Sequence, residues 1–335
     1  MIAVVTGGSG FIGRNLVERL LGEGHEVRCL VRPNGHAAPE GTERFVVDYG
    51  VPQSLMRSAA FDGADVVFHL AGVTRSARPL GFTTGNVTPT RHLLGAISAR
   101  RLRPRFVYVS SQSAAGPAMD ARHPVDEDDV PHPIEAYGRS KYEAERIVDS
   151  FLDRVPVTIL RPCSVFGPYD RDFLVLFRLA MRGLLVYPSR GAHWLSLIHV
   201  DDVVTAMLRA AREDVAIGRT YFLAGAEPVL WRTLGDQIAA AVGRRVRHVA
   251  LPDGVTRAAS AAGEWVAWLT GRRPFASRSR AALARQKYWV CSAARARREL
   301  SFREARSLPE AVQSTYYWYR DHGWVRDRRA ATSVT

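Results

Sequence analysis

The stretch Thr6-Gly7-Gly8-Ser9-Gly10-Phe11-Ile12-Gly13 restricts what this 335-residue chain can fold into more than any other. Before it lies a short, continuous apolar run, Ile2 to Val5, suited to a strand buried on both faces of a parallel sheet. After it, Arg14 to Leu21 carries apolar residues at helical spacing. Glycines at 7, 10 and 13 between a first strand and a first helix fit a phosphate-binding turn. Gly7 permits the tight turn, Gly10 lets the backbone approach a pyrophosphate, and Gly13 lets helix and strand pack closely. The free amides at the helix N-terminus then face the anion. A turn serving packing alone does not explain three glycines in this spacing, so a dinucleotide site at the head of a βαβ unit is expected.

The segments that follow continue the alternation. Strands are expected at Glu26 to Val31, Arg44 to Val47, Asp65 to Leu70, Phe106 to Ser110 and Val157 to Arg161, with helices at Gln53 to Ala60, at Asn86 to Arg101 and from Tyr137. That pattern predicts an α/β protein with a doubly wound parallel sheet, a Rossmann fold. Past Pro162 the pattern loosens. Leu174 to Arg182, Trp231 to Val242 and Val255 to Leu269 read as helices, and Trp194 to His199 as a short strand. Asp201-Asp202 are expected to cap a helix through Arg212, and Tyr221 to Ala224 to return to the main sheet. The expected organisation is a dinucleotide-binding domain over 1–165, rejoined by 197–225. A smaller C-terminal α/β substrate lobe takes 166–196 and 226–328, and 329–335 forms a disordered tail.

A second informative run opens with Tyr137-Gly138-Arg139-Ser140-Lys141, is rich in helix formers and follows Pro131 and Pro133, which places Tyr137 and Lys141 in the first turns of a helix. Residues four apart share a helix face. An ammonium beside a phenol favours the phenolate, so Lys141 is expected to lower a tyrosine pKa that otherwise sits near ~10. Such a tyrosine can give or take a proton near neutral pH. By itself the spacing also describes ordinary helix surface.

The net charge of +13 raises the question of nucleic acid or an anionic membrane. Lys141 and Lys287 are the lysines of the chain, so the excess is arginine, and much of it lies in residues 271–306 with no stacked-aromatic or zinc-finger pattern. A solvated basic face is the expectation, with no nucleic-acid partner; attraction of an anionic substrate or a peripheral membrane contact stays open. No apolar run reaches the roughly 18 residues of a membrane span. The start reads as a first strand and not a signal peptide, which makes cytoplasmic location the expectation. Cys29, Cys163 and Cys291 are odd in number and far apart, against a disulfide framework or a metal cluster.

The Gly-x-x-Gly-x-x-Gly loop together with Tyr137 and Lys141 resembles the extended branch of the short-chain dehydrogenase/reductase family, the NAD-dependent epimerase/dehydratase superfamily. Further stretches resemble it in order: Asp65 to Gly72, the Asn86 helix, Val109-Ser110-Ser111-Gln112-Ser113-Ala114-Ala115-Gly116, Leu160-Arg161-Pro162, Val165-Phe166-Gly167-Pro168 and Ile198-His199-Val200-Asp201-Asp202. The resemblance runs from residue 1 to about 325. It implies that Tyr137 is the proton donor or acceptor at the substrate oxygen, and that Lys141 assists it and holds the nicotinamide ribose. Ser111 is the implied hydroxyl partner, with adjoining Ser110 as the alternative. Asn86 resembles a structural asparagine near the active site and reads equally as a helix cap. Along the cofactor the resemblance places Gly7, Gly10, Phe11, Ile12, Gly13, Leu70, Ala71, Gly72 and Pro162. Asp48 matches a position that contacts adenine, although a loop aspartate is often only a turn cap. A homodimer through the helices of Asn86 and Tyr137 would follow family habit.

At the end of the second strand Val31 stands where an NAD-selective site offers a carboxylate, and Arg32 follows, placed to meet a 2′-phosphate. NADP(H) is therefore favoured over NAD(H). For the substrate, two enzyme readings share this machinery: a reductase or dehydrogenase acting on a hydrophobic ketone or alcohol, like the 3β-hydroxysteroid dehydrogenase and dihydroflavonol-reductase-like side, and a nucleotide-sugar epimerase or dehydratase. Sugar-nucleotide enzymes usually carry an aromatic before the glycine of the serine motif and an asparagine where this chain has Ser164; here Ala114-Ala115 precede Gly116. These departures favour the reductase. A non-catalytic dinucleotide sensor is the third reading, and the retained Ser111, Tyr137 and Lys141 argue against it. Trp265, Trp268 and Tyr316 to Trp318 could line an apolar pocket, lie on a membrane surface or pack the lobe's core.

Overall fold

In this computed structural model the chain lays down β1 (Ile2–Thr6), β2 (Glu26–Val31), β3 (Glu43–Val46), β4 (Val66–His69), β5 (Arg105–Val109), β6 (Val157–Pro162), β7 (Ser164–Phe166), β8 (Leu184–Tyr187), β9 (Trp194–Leu195), β10 (Leu197–His199) and β11 (Thr220–Leu223). Residues 1–326 are described, apart from 77, 188–191, 253, 256, 257 and 259–285. Seven strands form one sheet in the order β11-β6-β5-β4-β1-β2-β3. Every neighbouring pair in it is parallel. The order reverses between β1 and β4, which opens a crevice at the carboxyl ends of those strands. β4 and β6 are buried throughout, as central strands of a covered parallel sheet are, and carry buried polar residues, His69 in β4 and Thr158 and Arg161 in β6.

Helices cover both faces. α1 (Phe11–Gly22) contributes Leu16, Val17 and Leu20 to one apolar layer, which also holds Val203 and Met207 of the helix Val200–Arg212. The opposite layer holds Leu93, Leu94 and Ile97 of the helix Thr88–Ala99, and Ala144, Ile147 and Val148 of the helix Ala136–Asp149. The helical stretch expected from Asn86 begins earlier, at Leu80, and passes through a π turn at Thr83–Val87 before continuing to Ala99. The helix from Val200 is capped by His199, whose Nδ1 accepts the Asp201 amide at 3.3 Å. The expected caps Asp201 and Asp202 instead sit in its first turn, where Asp202 accepts the Ala305 amide and Asp201 pairs with Arg306.

A third apolar cluster gathers Phe166, Leu174, Phe177, Leu185, Leu234, Ile238, Tyr316 and Tyr319 beyond the sheet's edge. Phe177 stacks on Tyr316 at 6.3 Å and meets Tyr319 edge-on at 5.3 Å. Tyr316 and Trp318 thus pack with the lobe's own core while Tyr317 between them is exposed; Trp265 and Trp268 lie outside the described residues, as do the 329–335 tail and much of the basic 271–306 stretch. Within the span expected to belong to the lobe, Val290, Cys291, Leu300 and Phe302 pack with the sheet's layer instead. The strand expected over Trp194 to His199 is split at Ser196, whose hydroxyl donates to the Cys291 carbonyl at 3.3 Å and accepts its amide at 3.1 Å. The lobe leans on α1. Asn15 Nδ2 donates to the carbonyls of Phe11 at 2.9 Å and Pro168 at 3.0 Å, the Tyr169 phenol donates to Glu18, and Arg14 lies 5.2 Å from the Tyr169 ring.

Candidate active site

The glycine turn is fixed by what glycine lacks. Gly7 has φ +74°, and a Cβ there would sit 2.8 Å from the Ala71 nitrogen, so the turn lies directly on the segment leaving β4. A Cβ on Gly13 would come within 2.2 Å of the Gly7 carbonyl oxygen, which lets α1 start immediately against the turn. Gly10 precedes the helix with no capping side chain, and the first turn carries no acidic residue. The amides of Phe11, Ile12 and Gly13 have no intrahelical acceptor, which leaves donors for an anion at the crevice. These residues fit a dinucleotide pyrophosphate.

A buried polar relay joins that turn to the next strand. Thr6 Oγ1 accepts the Leu70 and Ala71 amides at 3.2 and 3.0 Å and lies 2.7 Å from His69 Nδ1. Thr90 donates to the Asn86 carbonyl at 2.7 Å, so it accepts from His69 Nε2 at 2.9 Å. His69 is therefore the neutral Nε2–H tautomer, and burial pushes its pKa down to about 3. The side chain of Asn86 continues the relay: Oδ1 accepts the Val73 amide at 2.6 Å, while Nδ2 donates to the Val73 carbonyl at 3.1 Å and to Ser140 Oγ at 2.8 Å. Asn86 lies inside the π turn and ties the Val73 loop to the helix Ala136–Asp149, which replaces its reading as a helix cap. A Cβ on Gly72 would approach Asn86 Oδ1 to 2.9 Å, so the clamp needs that glycine.

On the other side of the crevice, Glu135 caps the helix Ala136–Asp149 by accepting the amides of Tyr137 and Gly138, both at 2.6 Å. Gly138 lets this helix close on the segment after β5, because a Cβ there would stand 2.2 Å from the Ser113 carbonyl oxygen. That closure sets the segment carrying Ser111 beside Tyr137. Phe82 packs beside that ring at 6.2 Å. One helical turn on, buried Lys141 donates from Nζ to the Val109 carbonyl at 2.7 Å, with its ammonium 4.2 Å from the centre of the Tyr108 ring.

The pKa expected for the pair is corrected here. Burial pushes the Tyr137 phenol up to about 12, and the Ser111 hydroxyl pulls only partly against it. Burial also drives Lys141 down to about 7, with Glu145 pulling the other way. Desolvation outweighs the attraction between neighbours on one helix face, and the ammonium is turned toward Val109.

Of the two adjoining serines, Ser111 faces Tyr137, whereas the Ser110 hydroxyl donates to Glu145. Glu145 also receives Arg161 in a two-pronged ion pair, Nε to Oε1 at 3.0 Å and Nη2 to Oε2 at 2.8 Å, with both side chains buried. Pro162 ends β6 just beyond it. At the far end of the crevice, Asp48 caps its own turn, Oδ1 accepting the Gly50 amide at 2.8 Å, and remains exposed. Arg32 is exposed past Val31 and makes no ion pair among the described residues. Thr6, His69, Thr90, Glu135, Ser140, Glu145 and Arg161 take part in the site without a role assigned to them from the sequence. A histidine ending the apolar run Val66-Val67-Phe68, and an arginine ending Ile159-Leu160, were the available signals.

The sequence model described as the NAD dependent epimerase/dehydratase family matches residues 3–224. A ceramide reductase of Caulobacter vibrioides is 27% identical over 328 residues, covering 97% of this chain and 96% of that protein. A 4-hydroxy-2-methyl-3-oxo-4-farnesyl-3,4-dihydroquinoline-1-oxide ketoreductase of Stigmatella aurantiaca is 30% identical over 275 residues, 79% of this chain and 80% of that one. Among solved structures, UDP-glucose 4-epimerase of Thermotoga maritima superposes with a TM-score of 0.80 at 20% identity, covering 96% of this chain and 99% of that one.

Proposed function

Because this chain belongs to the NAD-dependent epimerase/dehydratase family of extended short-chain dehydrogenases/reductases, we propose that it is a reductase of a hydrophobic ketone. The observation that carries the reading is the meeting of Ser111, Tyr137 and Lys141 at the edge of the sheet where the glycine turn opens. The nicotinamide, when bound, supplies the hydride that adds to the carbonyl carbon. Tyr137 gives its phenolic proton to the carbonyl oxygen, so that C=O becomes CH–OH. A phenol whose pKa is pushed up to about 12 is protonated at neutral pH and is set as a donor, the role that reduction requires. The Ser111 hydroxyl, beside Tyr137, is set to meet the incoming oxygen, and Lys141 fixes the floor of the site through the Val109 carbonyl.

The substrate side rests on Ser164 and Ala115, which offer neither the asparagine amide nor the aromatic of sugar-nucleotide sites. The names of the two relatives, a ceramide reductase and a farnesyl-dihydroquinoline-oxide ketoreductase, point the same way. For the cofactor, exposed Arg32 after Val31 supports NADP(H) over NAD(H).

The test is turnover with NADPH or NADH against panels of hydrophobic ketones and of UDP- and dTDP-sugars. Net oxidation of cofactor by a ketone is expected, with Tyr137→Phe lowering kcat by about 10²- to 10⁴-fold. Sugar conversion without net cofactor change would establish the epimerase instead, and an unchanged kcat in Tyr137→Phe would remove the phenol from the chemistry.

A further inference from the structure

Behind the strand end that carries Ser111 lies a charged group of residues that the hydride-transfer reading does not use. Glu145 and Arg161 are a buried ion pair with side chains 3% and 7% exposed, and Ser110 closes the remaining approach to Glu145 Oε1. Three donors converge on one carboxylate: two from the guanidinium and one from the hydroxyl. Arg161 is further held 5.3 Å from the Phe222 ring. Glu145 follows Lys141 by one helical turn, on the same face of the same helix. Lys141 in turn donates to the carbonyl of Val109, the residue before Ser110.

We propose that Glu145, clamped by Arg161 and Ser110, is the positioning residue for Lys141, supplying the negative charge that keeps its buried ammonium protonated and docked on Val109. This rests on the reading above only in assigning Lys141 a part in catalysis. The surroundings of Lys141 favour no other source of that charge. β4 presents His69, which is neutral, and β5 presents the Tyr108 ring, whose hydroxyl burial keeps protonated. On its own helix Tyr137 is protonated at neutral pH, and β6 presents Arg161, a cation. Among the described residues the opposite charge acting on Lys141 is that of Glu145, and it works against the desolvation that drives the lysine toward neutrality.

The chain's two lysines make the idea directly measurable. With ¹³C-labelled lysine the protein gives two side-chain signals, and exposed Lys287 serves as the internal reference. In Glu145→Gln the Lys141 signal should titrate at a lower pH than in the wild type, by about one unit, while Lys287 is unmoved. A Lys141 midpoint that is unchanged or raised overturns the proposal. Should Glu145→Gln not fold, as judged by its thermal transition, Glu145→Gln/Arg161→Gln removes both charges and is expected to shift the Lys141 midpoint in the same direction; no shift there overturns it equally. The alkaline limb of kcat separates this proposal from the reading on which it rests. A limb that moves to lower pH together with the Lys141 midpoint supports both. A midpoint that moves while the limb stays fixed keeps Glu145 as the positioning residue and removes Lys141 from catalysis.

Discussion

Two buried polar groups sit under the two halves of the crevice, and they are built on opposite principles. Under the glycine turn, Thr6, His69, Thr90 and Asn86 form a neutral relay in which each donor finds an acceptor. Under Tyr137 and Lys141, Ser110, Glu145 and Arg161 form a charged one. The neutral relay fixes where loops go; its histidine carries no charge at neutral pH and biases nothing nearby. The charged group adds little as glue, since taking two ions out of water costs about what their attraction returns. What a fixed buried carboxylate can do is act on the ionisation of its neighbour.

The largest effect that separates the two comes from removing one ion. Glu145→Leu leaves Arg161 buried without a counter-charge and should cost about 3–5 kcal/mol in urea unfolding, whereas Glu145→Leu/Arg161→Met should recover most of that loss. If the double variant is as unstable as the single one, the pair is structural cement and the contrast fails. Thr90→Val in the neutral relay should cost less, about 1–3 kcal/mol, because His69 Nε2–H and the Asn86 carbonyl each lose a partner. The same measurement checks it, and a change near zero would mean that the relay is dispensable. Arg32→Ala touches neither group. It should leave stability within about 0.5 kcal/mol and lower the preference for NADPH over NADH by roughly tenfold, read from the ratio of kcat/KM for the two cofactors.

The parts of this molecule legible in its sequence are those where one residue type answers one local demand. Gly10 and Gly13 each crowd the Gly7 carbonyl a few residues away, Gly7 itself takes a positive φ, and the apolar strands announce themselves by composition, so sheet and turn could be read directly. Tyr137 and Lys141 were legible as a spacing on a helix, but their ionisation was not: it depends on how deeply β5 and the helix bury them, which no local pattern encodes. Asn86 read equally as a structural asparagine and as a helix cap, because the partners that decide it, Val73 and Ser140, lie 13 and 54 residues away. The split at Ser196 was likewise invisible, because Cys291 lies 95 residues on.

The seat of the lobe on α1 has a thermodynamic consequence. Asn15, Arg14 and Glu18 grip Pro168 and Tyr169 from the same helix whose first turn holds the open amides. Such a helix is a shared beam: a ligand that stiffens its first turn also stiffens the floor on which the lobe stands. By reciprocity, whatever settles the lobe tightens the grip on that ligand by the same factor.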